Sequence, residues 1–241
     1  LTWNDLLNSP LDPGQSIELD TPTPLPGAGP VLTINAAANR HPISRDIYGM
    51  NFADEDLAAE LRLPVRRWGG NATTRYNWQT DTSNQAMDWY FENYREDPSH
   101  SRVMQFIEQD QRTSTRTILT MSLIGWTPND NPQACGFSIS KYGAQQDADW
   151  SWRPDCGNGV FAGGQTITGN DPLDTSTPIG PEFVTDWINH LISAYGRADQ
   201  GGIRFYNLDN EPMLWSSTHR DVHPNPASYD EMRDRTWAYA S

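Results

Sequence analysis

The residues with most chemistry to offer in this chain are Asp209-Asn210-Glu211-Pro212, a carboxylate flanked by an amide at the end of an apolar run. Upstream, Ile203, Phe205 and Asn207 alternate with Arg204, Tyr206 and Leu208, and Gly201-Gly202 precede them, so the stretch reads as a buried strand. Pro212 has no N–H and cannot extend a central ladder, which stops the strand at or before Glu211. The carboxyl then stands at the C-terminal tip of a strand, the edge where a (β/α) barrel carries its reactive groups. It can serve there as a proton donor, provided that a desolvated site or a second carboxylate raises its pKa. Asn210 can hydrogen-bond a hydroxyl, and Trp215 is close enough in sequence to form a stacking wall. The same residues also suit a plain strand-to-loop turn, with Asn210 as turn-former and Trp215 as a packed side chain.

Other reactive side chains converge less. His219 and His223 have i, i+4 spacing, but Asp221 to Pro224 does not read as helix, so hydrogen-bonded loop histidines are expected. Asp171 and Asp174, in NDPLD, suit a hard ion such as calcium, which takes carboxylates and loop carbonyls. Cys135 and Cys156 share one polar, glycine-rich segment with little hydrophobic reason to fold. A disulfide is expected there, and with it an exported protein. Glu55 and Glu60 fall on a surface helix, Glu92 and Glu96 in a polar loop, and none of the four is expected to act on a substrate.

The elements that must position these groups emerge from hydrophobic period and punctuation. Residues 1–30 are rich in Pro, Asp and Thr, with Pro22, Pro24, Pro26 and Pro30 forbidding regular structure, and read as a linker or arm. Residues 31–35 (VLTIN) alternate as a strand, and 47–52 (IYGMNF) form a second, with Asp54 placed to cap a helix in which Leu57, Ala58 and Leu61 share a face. Pro64 ends that helix, and the strand VRRW, 65–68, runs into Gly69-Gly70-Asn71. After a long loop, Val103, Phe106 and Ile107 mark a helix over about 101–112, and 117–124 (TILTMSLI) is a continuous apolar run suited to a strand buried on both faces. Residues 127–181 form a polar insertion, of a length that is functional or stapled. A helix from Phe183 to Tyr195 ends at Gly196, the Glu211 strand comes next, and Asn225-Pro226 start a last helix with Tyr229, Met232, Thr236 and Trp237 on one face. The order after residue 46 is β-α-β-α-β-α-β-α, which implies a parallel sheet. No phosphate-binding glycine motif follows any strand, and four units make half of an eight-fold barrel.

Composition bounds the function. Lys+Arg is 17 against 31 Asp+Glu in 241 residues, a net charge of −14 with no basic run, so nucleic acid is not an expected partner. No apolar stretch approaches a membrane span, and Leu1 to Pro10 has neither the basic start nor the apolar core of a signal peptide. Ten Trp and nine Tyr exceed ordinary core needs and suggest stacking surfaces beside plain packing. A monomer acting on a neutral substrate is expected.

LDNEPMLWSSTHRDVHP resembles the acid/base segment of the family 44 glycoside hydrolases. RWGGNATTRYNW, from Arg67 to Trp78, resembles a second segment of that family, and EFVTDWINHLISAYG fits the helix before the acid/base strand. The resemblance covers roughly residues 31 to 241 and implies a retaining clan A enzyme: an α/β fold, a (β/α)8 TIM barrel with a smaller β-sandwich domain. Residues 31–46 would then carry the first strand of the sandwich, and 47–241 the first four β/α units of the barrel. It implies β-1,4-glucans as partner, cellulose-type or xyloglucan, and no cofactor for catalysis. Glu211 takes the acid/base role and Asn210 the adjoining sugar-binding amide, while the nucleophile, a glutamate on the seventh strand in this clan, has no counterpart here. Arg67, Trp68, Asn71, Tyr76 and Trp78 would line the barrel mouth, the polar ones on sugar hydroxyls and the aromatic ones on pyranose faces, or else only stabilise the Gly69-Gly70 turn. Asn71-Ala72-Thr73 is also a glycosylation sequon. A structural calcium near Asp171 and Asp174 is implied too, although Gln79 stands where a further carboxylate is expected. A glycan-binding fragment without chemistry is the alternative.

Overall fold

The computed structural model describes residues 35, 38, 40–95 and 101–240. The chain divides into Leu1–Pro42 and Ile43–Ser241, and among the described residues every helix and strand lies in the second unit. The arm expected at 1–30 and the sandwich strand at 31–35 lie outside the described residues. Within the 31–46 segment, Ser44 caps a short 3-10 turn, Arg45–Ile47.

A parallel four-stranded sheet organises the unit. Strand β1 (Gly49–Asn51) leads through helix α1 (Glu55–Leu61) to β2 (Val65–Trp68). Asp54 caps α1 by accepting the Leu57 N–H at 2.8 Å, and Arg62 closes it in a left-handed conformation. Leu61 does not join the buried face: Ala58 packs with Ala53 and Leu63, and Leu61 stays exposed where the short helix ends. The stretch after Gly70 is not a loop. It holds the single turn α2 (Asn71–Thr74) and an antiparallel sheet of β3 (Tyr76–Asn77), β4 (Thr82–Asn84) and β5 (Asn93–Arg95).

Helix α3 (Arg102–Thr113) buries Val103, Phe106, Ile107 and Asp110, one face at helical spacing. Strand β6 (Arg116–Met121) is shorter than the apolar run around it, because the Leu123 and Ile124 N–H groups leave the ladder for the Asp209 carboxylate. The insertion is ordered by strand pairs. β7 (Trp126–Pro128) runs to the turn α4 (Ile139–Tyr142), then β8 (Ala148–Asp149) pairs with β9 (Arg153–Gly157), and β10 (Ser176–Pro178) returns to β7. The Cys135–Cys156 disulfide, Cα–Cα 5.7 Å, joins its two halves. Helix α5 (Pro181–Tyr195) begins on proline, whose missing N–H is lost there without cost, and ends at Gly196, φ +84°.

Strand β11 (Phe205–Leu208) completes the sheet in the order β1-β2-β6-β11, all parallel. A 3-10 turn, the short α6 (Trp215–Thr218) and α7 (Tyr229–Ala240) come after it. α7 starts at Tyr229 rather than Asn225, because Ser228 receives the Glu231 and Met232 N–H groups as the cap. Its expected apolar face is not buried: Tyr229 and Trp237 are exposed, and Met232 and Tyr239 make the contacts.

Register decides what each face of the sheet carries. Trp68 pairs with Leu119, and Leu119 with Tyr206; these residues meet α3 and α5 in a core with Phe106, Ile107, Trp187 and Leu191. Side chains alternate along a strand, so the intervening Asn51, Arg67, Ile118, Phe205 and Asn207 share the opposite face. Truncating Leu119, fully buried, costs about 2–5 kcal/mol by the usual large-to-small rule. Arg66 points to the helix side, pairs with Asp110 at 2.9 Å and lies over the Phe106 ring.

Candidate active site

The C-terminal ends of β1, β2 and β11 open onto a cleft of about 640 Å³ that contains Glu211. Its wall is a chain of polar side chains. Arg67 donates to Asn51 Oδ1 at 3.4 Å and to Asn210 Oδ1 at 2.8 Å. Asn210 Nδ2 faces both Asn71 Oδ1 and Glu211 Oε2 at 3.3 Å, and Asn71 Nδ2 donates to Asp88 Oδ2 at 2.9 Å. Arg67 has to be arginine for this geometry, since its planar fork reaches two acceptors that a lysine point charge cannot. Glu211 is exposed, whereas Asn210 behind it is buried.

The Glu211 turn is held from below. Asp209 Oδ2 accepts the N–H groups of Leu123 at 2.6 Å and Ile124 at 3.1 Å, and Oδ1 accepts that of Asn210 at 2.7 Å. Asp209 (φ +66°) and Glu211 (φ +44°) are both left-handed, a region few non-glycine residues occupy. Burial pushes the Asp209 carboxyl up to about 6, against hydrogen bonds that favour its charged form.

Four aromatic residues expected in the cleft are not there. Trp68 is in the helix-side core, edge-on to Tyr76 and Trp187, because its place in the strand alternation is opposite to that of Arg67. Tyr76 is buried beside it and donates its hydroxyl to Asp81. Trp78 packs on Phe183 and stacks on His190. Trp215 is fully buried, with His223 against its edge and the Arg235 guanidinium over its face. Arg67, Asn71, Asn210 and Glu211 are brought together.

The other acidic and histidine candidates stand apart from the cleft. Glu92 is not in a solvated loop: it is buried, 3.2 Å from Arg153, and burial pushes its carboxyl up to about 7. Glu96 lies outside the described residues, Glu60 is exposed, and Glu55 pairs with Arg112. His219 is fully buried, and desolvation drives its ring well below the ordinary histidine range, so it is neutral; His223 meets Glu231 at 2.9 Å.

The calcium does not fit the residues present. Both Asp174 oxygens are taken, one by the Lys141 ammonium and one by the Tyr142 hydroxyl. Asp171 Oδ1 caps the Leu173 N–H, and Gln79 is exposed. A cation would have to displace a lysine that already neutralises its best ligand. Among the described residues no three acidic, histidine or cysteine side chains gather as a metal set.

Sequence reading missed Asn51, Asp88, Asn207 and Met213, which also border the cleft. It also missed an exposed aromatic pair. Trp89 follows Asp88, and its ring lies 5.3 Å from that of Trp152, which is 75 % exposed. Asp149 builds this pair by accepting the Trp89 indole N–H at 3.3 Å and the Trp152 N–H at 3.2 Å. The pairing joins the 3-10 turn Ala86–Trp89 to the insertion, so no local pattern announces it.

A carboxyl and its adjoining amide thus stand at the C-terminal edge of a parallel sheet in an open polar cleft, the edge where parallel α/β folds place their reactive groups. Residues 82–241 match glycoside hydrolase family 44, and the chain belongs to that family. It is 30% identical over 223 residues to the beta-mannanase/endoglucanase A of Caldicellulosiruptor saccharolyticus, covering 85% of this chain and 15% of that protein. Endoglucanase A of Paenibacillus lautus is 28% identical over 83% of this chain and 28% of its own length. Among solved structures, CelM2, a bifunctional glucanase-xylanase from a metagenome library, superposes with a TM-score of 0.80 at 45% identity, over 83% of this chain and 40% of that one. A Paenibacillus polymyxa family 44 xyloglucanase with xyloglucan gives a TM-score of 0.59 at 25% identity, over 83% and 38%. The chain thus spans less than half the length of each of these relatives.

Proposed function

We propose that the protein carrying this chain is an endo-acting β-1,4-glucan hydrolase, cellulose- or xyloglucan-directed, that works with retention. Glu211 is its acid/base, and Asn210 and Arg67 bind the sugar beside the scissile bond. The carrying observation is the Arg67–Asn210–Glu211 contact at the strand tips. Retention needs two carboxyl groups about 5–5.5 Å apart, and we assign the second, the nucleophile, to no residue of this chain. The four parallel strands are the first half of a (β/α)8 barrel, and the missing desolvation around exposed Glu211 comes from its other half. Trp89 and Trp152 continue the cleft as a platform for a further pyranose ring. The disulfide supports an exported protein, and Lys141 takes the place of a structural calcium.

The test is Glu211→Ala in the complete catalytic module. Hydrolysis of a β-glucan should fall by about 100-fold or more, the usual scale of general acid catalysis, while an aryl glycoside with a good leaving group still glycosylates the enzyme and azide speeds the second step. An undiminished rate on the glucan would falsify the assignment. A glycan-binding role without chemistry is favoured instead if the wild-type module binds cello-oligosaccharides and cleaves none.

A further inference from the structure

We propose that Asp209 is a positioning residue: its carboxylate latches the end of β11 to the chain beyond β6 and thereby sets the left-handed turn that aims Glu211. The inference rests on Glu211 being the acid/base. Asp209 borders the cleft, but it is buried, and three backbone N–H groups occupy its two oxygens with the Thr74 hydroxyl beside them, so it is not placed to act on substrate itself. Those donors come from two places. Leu123 and Ile124 lie just past the last paired residue of β6, Met121, and are buried with no ladder partner for their N–H groups. The third donor is Asn210. The backbone adds to the latch: the Asp209 N–H donates to Met121 O at 2.9 Å, and Asn207 Nδ2 returns to Asp209 O at 2.6 Å.

This arrangement has a cost that only a fixed turn explains. Asp209 and Glu211 both hold positive φ on either side of Asn210, and Glu211 precedes a proline. Without an acceptor below, the chain has no reason to keep that shape. An acceptor with two oxygens is required, because one oxygen faces β6 while the other turns back on its own strand. A side-chain amide can offer only one oxygen, and its NH2 would then oppose an N–H on the other side.

The experiment compares Asp209→Asn, Asp209→Glu and Glu211→Ala in the complete catalytic module on two substrates, a β-glucan and an aryl β-cellobioside with a good leaving group. If Asp209 acts through Glu211, Asp209→Asn lowers kcat/KM on the glucan about 100-fold and on the aryl substrate less than tenfold, while kcat on the aryl substrate, limited by the base-assisted second step, also falls and is raised by azide. Asp209→Glu, which keeps both oxygens, should recover part of the loss. Equal losses on the two substrates, an undiminished glucan rate, or failure of both variants to fold overturns the proposal, because Asp209 would then serve the fold and not the acid. The Glu211→Ala control separates the two claims. If it lacks the leaving-group dependence, the acid/base reading fails; if it has it and Asp209→Asn does not, only the positioning role fails.

Discussion

Arg67 Nη2 lies 2.8 Å from Asn210 Oδ1, joining side chains 143 positions apart in the sequence. Their strands are not neighbours, because β6 runs between β2 and β11. The guanidinium therefore bridges the middle of the sheet and fixes the amide that contacts Glu211. The predicted consequence is that Arg67→Lys is not conservative. Losing one charged hydrogen bond costs about 1.5–3 kcal/mol, so kcat/KM on a β-glucan should fall roughly tenfold to a hundredfold and the melting temperature by roughly 3–12 °C. Steady-state kinetics on both proteins measure it.

Trp152 offers an exposed indole face beside Trp89. A pyranose ring covering roughly 60 Å² of it gains about 1.5 kcal/mol at about 25 cal/mol per Å². Trp152→Ala should raise KM for a long β-glucan about tenfold and leave short aryl substrates unaffected, since these do not reach the platform. Equal effects on long and short substrates count against the platform.

The burial of Glu92 has a pH consequence of definite sign. Its folded pKa is raised to about 7 by desolvation, above the ordinary 4.5 of an unfolded chain. The folded state then holds more protons between these values, so stability falls as pH rises from about 4.5 to about 7 and is level above. The full contribution is at most about 3.5 kcal/mol at about 1.4 per unit. Urea unfolding across that window should show the decline, and Glu92→Gln should flatten it.

The regular elements were legible because their signals are local. Asp54 and Gly196 punctuate helices where the sequence says they should, while the helix expected from Phe183 begins earlier, on Pro181. The place of Glu211 and Asn210 just past a strand end was legible from a strand pattern and a proline, and the parallel order from alternating periods. What failed was the direction of aromatic side chains. Trp68 and Arg67 are adjacent, and only the register with β6 and the packing of α5 decide which enters the core. The β3–β4–β5 sheet was invisible because its strands are short and polar. They are held by buried side chains such as Arg75, which meets Asp221 at 2.8 Å from the far side of the chain.

The insertion supplies the last prediction. Besides its strand pairs and the small Phe91–Phe137–Ile167 cluster, two further devices hold it: the Cys135–Cys156 bridge and the Lys141–Asp174–Tyr142 contact. The ammonium sits where a divalent ion would need Asp174, so an excess of chelator should leave the melting temperature unchanged, and added calcium should not raise it. Lys141→Ala should lower it, and calcium should then restore part of the loss by taking the vacated carboxylate. The disulfide contributes separately. For a closed loop of this length the chain-entropy estimate is about 3 kcal/mol. In a unit of this size that is a drop of roughly 6–12 °C on Cys135→Ser with Cys156→Ser. Limited proteolysis should then cut first between residues 127 and 181, since the bridge closes that stretch on itself. A melting temperature that falls on chelation of the wild-type protein, with no change at Lys141→Ala, would return the cation to this loop.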